Sequence, residues 1–441
     1  MSRARKKKGP RKTCNATNTA RPKTASVTPP SSDSASDGTG SDDKQTDDLD
    51  IGRPVELRPE VCDVFEALMY YNTRIYPDLV KNQLGPSGFV FPMAMVENVS
   101  PSIIHTLVSV VISHRIIQLA EDPASDELVK PMWTRLYRHR DIAIRAINKR
   151  IANEATRSDI VTISAVYTLL FAMLQQSQDP CYRTHVGFFM SLVRLRGTFT
   201  DLIRILPPME LSLMAMCIVG VFANTTSPHD DFFHVTHTPE TLQLVATYYT
   251  ESYFPSVAIP PPLFTEIILI NDLRPQPPSP ETTLAATALL ARIESFSPST
   301  WSAARPPAFQ DDWLLLSTIF HAAVALYAIL SLQSSGALAD DAPELELARA
   351  RHARALFASL ETAMATPRVK RRMTWPLVVA GVEAARAGRE VQRYIGDRLR
   401  EMSRDHGSAP PLVARGVLER FWAEGGGRWD KCFREPLALI L

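Results

Sequence analysis

Cysteine and glycine are scarce in this chain of 441 residues, and neither sign of charge dominates. The five cysteines are scattered and no two have C-x-x-C spacing, which argues against a disulfide framework and a cysteine zinc site. Reduced thiols inside a cell are the simple interpretation. With 18 glycines against 34 prolines, little is left for glycine-rich phosphate loops. The near balance of 48 basic and 47 acidic residues gives no sign of a polyanionic partner for the chain as a whole.

Signatures of the common enzyme classes are also missing. The sequence has no G-x-S-x-G, no G-x-x-x-x-G-K-[ST], no H-E-x-x-H and no G-x-G-x-x-G after a strand. We therefore predict neither an enzyme nor a cofactor. His229, His234 and His237, with acids nearby, form a weak candidate for a zinc or iron site, because imidazole binds both metals. A metal-dependent enzyme built on them is a minor alternative, since histidine and aspartate are also common in solvated loops.

The most apolar stretch, residues 313–332, is long enough to cross a bilayer. It contains His321 and lacks a basic flank, and other long apolar helices surround it in sequence. We predict a buried core helix and no membrane partner. The basic N-terminus has no apolar stretch behind it, so it is not a secretory signal.

The N-terminal region is basic and then acidic. Residues 1–24 contain no acid, and residues 31–50 carry seven aspartates among small polar residues. Both stretches are too poor in apolar residues to fold, so we predict a disordered arm over residues 1–52. A dense basic run is typical of nuclear import and also binds phosphate backbones; it consists of Arg3, Arg5, Lys6, Lys7, Lys8, Arg11 and Lys12. The run predicts a nuclear protein, with a solubilising tail as the alternative.

From about residue 58 the pattern is helical. Val61, Phe65 and Met69 follow a three-to-four spacing, as do apolar residues in 133–151 and 345–364. Ser-Pro or Thr-Pro pairs at Ser100, Thr238 and Ser279 mark helix starts, and no strand-like alternation appears. We predict an all-α fold, a large multi-helix domain over residues 58–441. Because Pro-rich connectors interrupt the helices, an alternative is two packed halves, 58–252 and 310–441. Such short links more often join helices within one domain.

Four strings resemble the fungal-specific transcription factor domain, the helical regulatory domain found downstream of a binuclear zinc cluster. They lie in residues 184–197, 262–274, 375–384 and 417–430. Thr198 stands where that family usually has a second glycine. The residues that carry the resemblance are His185, Gly187, Arg196, Gly197, Asn271, Arg274, Trp375, Pro376, Gly381, Glu383, Trp422 and Trp429. The tryptophans are suited to anchor helix packing, Pro376 is suited to a first helical turn, and Gly381 is suited to a close approach of two helices. These are structural roles.

The resemblance implies a nuclear regulator of transcription that acts through a helical regulatory or dimerisation domain. Its expected partners are other transcription regulators or a second copy, and DNA directly or through a partner. A binuclear zinc cluster needs six cysteines, and this chain has only Cys14 in the corresponding region. We therefore expect DNA contact to be indirect or through the basic arm. A cytosolic helical scaffold that lost the DNA-binding module is the alternative.

Overall fold

The computed structural model describes residues 59–85, 99–120, 126–176, 210–232, 247–249 and 257–439, with isolated residues between 187 and 207. Contacts group Leu57–Leu441 into one compact unit. Every regular element in the described ranges is helical, which confirms the all-α prediction. The arm predicted over residues 1–52 lies outside the described residues, and the division of the rest into one domain or two halves stays a prediction.

Five α-helices lie in the described residues between Pro59 and Gln176. They are α1 (Pro59–Tyr70), α2 (Tyr76–Lys81), α3 (Pro101–Leu119), α4 (Lys130–Ala152) and α5 (Ile160–Gln176). A π-helical turn, Tyr71–Ile75, joins α1 to α2 without a break, and a 3₁₀ turn, Glu127–Val129, leads into α4. Helix α3 packs against α1, α4 and α5. A small apolar core, including Ile112, Ile116 and Leu136, fills the space among α1, α3 and α4.

The remaining helices form the larger core. They are α6 (Glu210–Thr225), α7 (Pro261–Leu273), α8 (Pro280–Ser295), α9 (Pro298–Ala303), α10 (Gln310–Ser335), α11 (Pro343–Ala365), α12 (Pro367–Lys370), α13 (Thr374–Ala387), α14 (Arg389–His406), α15 (Pro410–Ala423) and α16 (Trp429–Cys432). A 3₁₀ turn, Pro307–Phe309, precedes α10.

Helix α10 is the central element, because it packs against α7, α8, α9, α11 and α13. Two helices of the described part, Pro101–Leu119 and Pro307–Ser335, are long and apolar enough to cross a membrane. Inside the fold, 56% and 78% of their apolar windows are buried. The second contains residues 313–332, so the predicted core helix is confirmed.

Proline begins many of these helices, as the sequence pattern predicts. At α8 the Ser279 hydroxyl accepts the Thr282 amide at 3.2 Å, and the Thr282 hydroxyl accepts the Ser279 amide at 2.8 Å, forming a reciprocal cap. At α3 the prediction that the Ser100 side chain caps the helix is wrong. The Ser100 hydroxyl instead hydrogen-bonds with the Ser102 hydroxyl at 2.8 Å. Thr238 lies outside the described residues.

Candidate functional site

The C-terminal end of α6 is the point where four of the described signature residues meet, namely Asn271, Arg274, Trp375 and Trp429. A helix end leaves carbonyl groups without intrahelical partners, and here the end is buried from Leu213 to Thr225. The Asn271 side chain, fully buried in the last turn of α7, donates to the Val221 carbonyl at 2.8 Å. This hydrogen bond therefore connects the C-terminal end of α7 to the C-terminal end of α6.

Arg274, which directly follows α7, is fully buried at this point. Its Nη1 donates to the Asn224 carbonyl at 2.8 Å, and its Nη2 donates to the Ser227 carbonyl at 2.9 Å. Nη2 also donates to Asp430 Oδ1 at 2.7 Å. A cation at a helix C-terminus offsets the partial negative charge of the free carbonyls. The carboxylate of Asp430 compensates the guanidinium charge, without which its burial would be strongly unfavourable.

Asp430, in α16, also contacts α10 and the segment that carries His229. Its Oδ2 accepts a hydrogen bond from the Ser334 hydroxyl of α10 at 2.8 Å and from His229 Nδ1 at 2.9 Å. His229 is therefore engaged in a structural hydrogen bond. The described residues contain no group of three or more potential metal ligands, while His234 and His237 lie outside them.

Aromatic side chains surround this network. Trp429 Nε1 donates to the Thr225 carbonyl at 2.8 Å, and Trp375 Nε1 donates to the Thr225 hydroxyl at 3.0 Å. Tyr327 of α10 receives a hydrogen bond from Arg274 Nη1 at 3.0 Å and donates to Asn271 Oδ1 at 2.5 Å. Burial raises the pKa of Tyr327, so its hydroxyl stays a donor.

Tyr327 is one member of the network that sequence reasoning missed, and Ser334 is another. Tyr327 lies in an apolar run that indicates only a core helix. The available signal was one tyrosine among aliphatic residues, because a buried hydroxyl needs a polar partner.

Gly381 and Trp422 join α13 to α15. A Cβ atom on Gly381 would lie 2.3 Å from Leu418 Cδ1, so only glycine permits this approach of the two helices. Trp422 Nε1 donates to the Gly381 carbonyl at 2.8 Å. Pro376 is buried in the first turn of α13, where the absence of its amide proton costs no hydrogen bond.

Glu383 links α13 to α11. Its carboxylate accepts from Arg349 Nε at 2.8 Å, and both side chains are largely buried. Burial raises the pKa of Glu383 even though Arg349 opposes the shift. Among the other signature residues, Gly187 is helical, whereas His185, Arg196 and Gly197 lie outside the described residues.

The described signature residues therefore hold helix ends together rather than forming a reactive site. Their donors point at backbone carbonyls, carboxylates or hydroxyl groups of neighbouring segments, and the charged members are paired. Such buried polar networks fix one arrangement of the surrounding helices.

A family model, the fungal specific transcription factor domain, matches residues 66–435. The chain belongs to this family. The match contains the whole network around α6, from Val221 to Asp430. The resemblance of the four strings is thereby confirmed, and the chain is a transcriptional regulator by family; the family is one of transcription factor domains rather than enzymes.

A relative in Leptosphaeria maculans has the same kind of role. It is the phomenoic acid biosynthesis cluster-specific transcriptional regulator, 31% identical over 391 residues, which span 85% of this chain and 73% of the relative. No solved structure matches the chain significantly.

Proposed function

We propose that this protein is a nuclear regulator of a set of co-located biosynthetic genes. The match of the helical domain to a cluster-specific regulator along 85% of the chain is the observation that carries the proposal. The helical domain is the regulatory part, since the strings that resemble the family form a buried framework and no reactive site in the described residues. The basic run at residues 3–12 supplies nuclear import.

Contact with DNA goes through a partner regulator or through the basic arm. This chain carries Cys14 alone where a binuclear zinc cluster needs six cysteines. A lysine- and arginine-rich arm binds phosphates without sequence preference, and such binding weakens steeply with salt. Sequence preference would then come from a partner regulator that reads base sequence, whereas a second copy of this chain would add only further phosphate contacts.

Chromatin occupancy of the tagged full-length chain, combined with transcript levels after gene deletion, tests the proposal. We expect sharp promoter peaks over one contiguous gene set and loss of the corresponding transcripts. Absence of enrichment, with the tagged protein outside the nucleus, would contradict it.

The second candidate is a cytosolic helical scaffold, favoured by the missing cysteines. Deleting residues 1–24 separates the two, because a regulator should lose nuclear entry while a scaffold should keep its location and effect. The matched control replaces the seven aspartates of residues 31–50 by asparagine, which changes the arm without touching its basic run. Nuclear entry that survives the deletion would count against the import role of residues 3–12.

A further inference from the structure

Helix α1 is held against α4 by carboxylates on its inward side. Asp63 is buried, with its Oδ1 2.6 Å from Arg135 Nη2 and its Oδ2 2.9 Å from His139 Nε2. Glu66, one turn further along α1, pairs with the same Arg135 at 2.5 Å. Because Asp63 is the buried member of these contacts, the position of α1 depends most on its two partners.

The hydrogen bond from His139 to Asp63 is one part of a row that crosses three helices. His139 is fully buried on α4, and its second ring nitrogen, Nδ1, lies 2.7 Å from Nδ1 of His105 on α3. The two ring centroids are 5.0 Å apart. We call Asp63, His139 and His105 the triad. Its two short contacts join α1, α4 and α3 at one point.

The contact between the two histidines limits how many protons the triad can hold. A ring nitrogen that carries a proton donates and one without a proton accepts, so the contact at 2.7 Å needs one proton between the two Nδ1 atoms. The carboxylate of Asp63 only accepts, so His139 Nε2 carries a proton. When both rings are neutral, His105 therefore donates through Nδ1 to Nδ1 of His139.

One further proton fits into the triad, but a second does not. His105 is partly exposed, so water can bring a proton to its Nε2 without disturbing Nδ1. Burial and the neighbouring His139 lower the pKa of His105, whereas Glu60 of α1 opposes this shift. If both rings were protonated, two N–H groups and two cations would face each other at 2.7 Å. Arg135, the other cation beside Asp63, would add to the repulsion, so the rings must separate.

We propose that the triad is a proton-sensitive lock that holds α1 against α3 and α4. The lock stays closed while at most one of its two histidines is protonated, and it opens when both are. Opening breaks the contact between His105 and His139 and draws His139 away from Asp63. The docking of α1 thereby becomes dependent on pH.

Proton counting gives the direction and the size of this dependence. Below about pH 6.5, the ordinary pKa of histidine, the open form binds two protons and the closed form binds one. The lock is therefore closed at neutral pH and opens as the pH falls. A difference of one proton changes the opening equilibrium about tenfold per pH unit. Asp63 and Glu66 contribute little above pH 5, because their pKa values lie below the ordinary values of about 4.

Hydrogen exchange of the full chain between pH 7 and pH 5 tests the proposal. At each pH the exchange rate is divided by that of the unfolded chain, which removes the intrinsic pH dependence of exchange. Protection of α1 is then compared with that of the central helix α10, so that local opening is separated from global unfolding. We expect the protection of α1 relative to α10 to fall about tenfold from pH 6 to pH 5.

The test variant is His105→Gln. The glutamine amide donates through its nitrogen to a neutral His139 or accepts through its oxygen from a protonated one, so it fits both proton states. The relative protection of α1 should then change by less than about twofold over the same range. The matched control is His321→Gln on α10, where the ring hydrogen-bonds with the Ile293 carbonyl at 2.9 Å away from α1. This control should keep the tenfold fall.

Three results of the exchange experiment would overturn the proposal. They are a relative protection of α1 that does not fall in the unmodified chain, an equal fall in His105→Gln, and a fall that His321→Gln abolishes as well. None of these results depends on nuclear location or gene control, so they are separate from the outcome for the proposed function.

Imidazole nitrogen resonances provide a second measurement that needs no substitution. In the chain labelled with ¹⁵N histidine, we expect a scalar coupling at pH 7 between one protonated and one unprotonated ring nitrogen, across the hydrogen bond between His105 and His139. Two unprotonated Nδ1 atoms, or two protonated ones, would overturn the proposal even if His105→Gln failed to fold.

Discussion

Replacing Arg274 by methionine is the sharpest test of the network at the end of α6. Methionine keeps much of the side-chain length but removes the charge and every donor. The variant leaves the Asn224 and Ser227 carbonyls without their side-chain donor and Asp430 without its cation. Because the site is buried, water does not readily replace these bonds.

Two losses determine the magnitude of the effect on the free energy of unfolding. Removing one partner of a buried ion pair costs about 3–5 kcal/mol, and the Asp430 side chain is only 16% exposed. A cation at a partly buried helix C-terminus contributes up to about 2 kcal/mol, although this overlaps with the first loss. We expect the free energy of unfolding to fall by about 4 kcal/mol, a large share of the ~5–15 kcal/mol typical of a folded protein.

Urea unfolding followed by tryptophan fluorescence measures this loss, since Trp375 and Trp429 border the network. The free energy of unfolding of Arg274→Lys should lie between that of the unmodified chain and that of Arg274→Met, because an ammonium keeps the charge but cannot bridge as many acceptors. In a double-mutant cycle, Asp430→Asn should cost less in the Arg274→Met background than alone. A loss below about 1 kcal/mol for Arg274→Met, or strict additivity in the cycle, would refute the reasoning.

The remaining predictions concern helix contacts and acid. Gly381→Ala should lower the free energy of unfolding by about 1–3 kcal/mol, because its methyl group overlaps Leu418, and Leu418→Ala should relieve part of that overlap in the double variant. Trp422→Phe removes one donor to the Gly381 carbonyl and should cost on the order of 1 kcal/mol in the same urea assay. Burial lowers the pKa of His114 to about 4 and that of His406 to about 3, both below the ordinary 6.5. The unfolded chain therefore binds protons first, and stability should fall as the pH drops from about 6.5 to about 4, by on the order of 3 kcal/mol for His114. Urea midpoints measured across this pH range give the pH dependence of stability. This dependence should be weaker in His114→Gln, and an unchanged dependence in that variant would show that His114 is not responsible.

The sequence allowed the all-α fold, the buried central helix and the family to be predicted. Trp375, Asn271 and Arg274 were visible as parts of recognisable strings. Their meeting point was not, because its acceptors are backbone carbonyls at the end of α6, some 50 residues before Arg274. Backbone atoms leave no residue-specific pattern, and the partner carboxylate of Asp430 lies 156 positions further on. The tertiary arrangement alone brings these groups together.

Helix α1 shows where hydrophobic spacing predicts an element but not its orientation. The spacing of Val61, Phe65 and Met69 predicts a helix, and the structure confirms one, yet such a row usually marks the face turned to the core. Turning the helix inwards would gain at most about 1.5–3 kcal/mol for each side chain buried. It would also separate Asp63 from Arg135 and from His139, which is fully buried. Breaking a buried ion pair lowers the free energy of unfolding by about 3–5 kcal/mol.

The environment of Asp63 distinguishes the two orientations of α1. Burial raises the pKa of Asp63, yet hydrogen bonds from His139 and Arg135 outweigh it and hold that pKa below its ordinary value, so the carboxylate is more favourable in this position than in water. That stabilisation exists only while α1 keeps its acidic side towards α3 and α4. The exposure of Phe65 and Met69 is therefore the consequence of an orientation that the contacts of Asp63 determine.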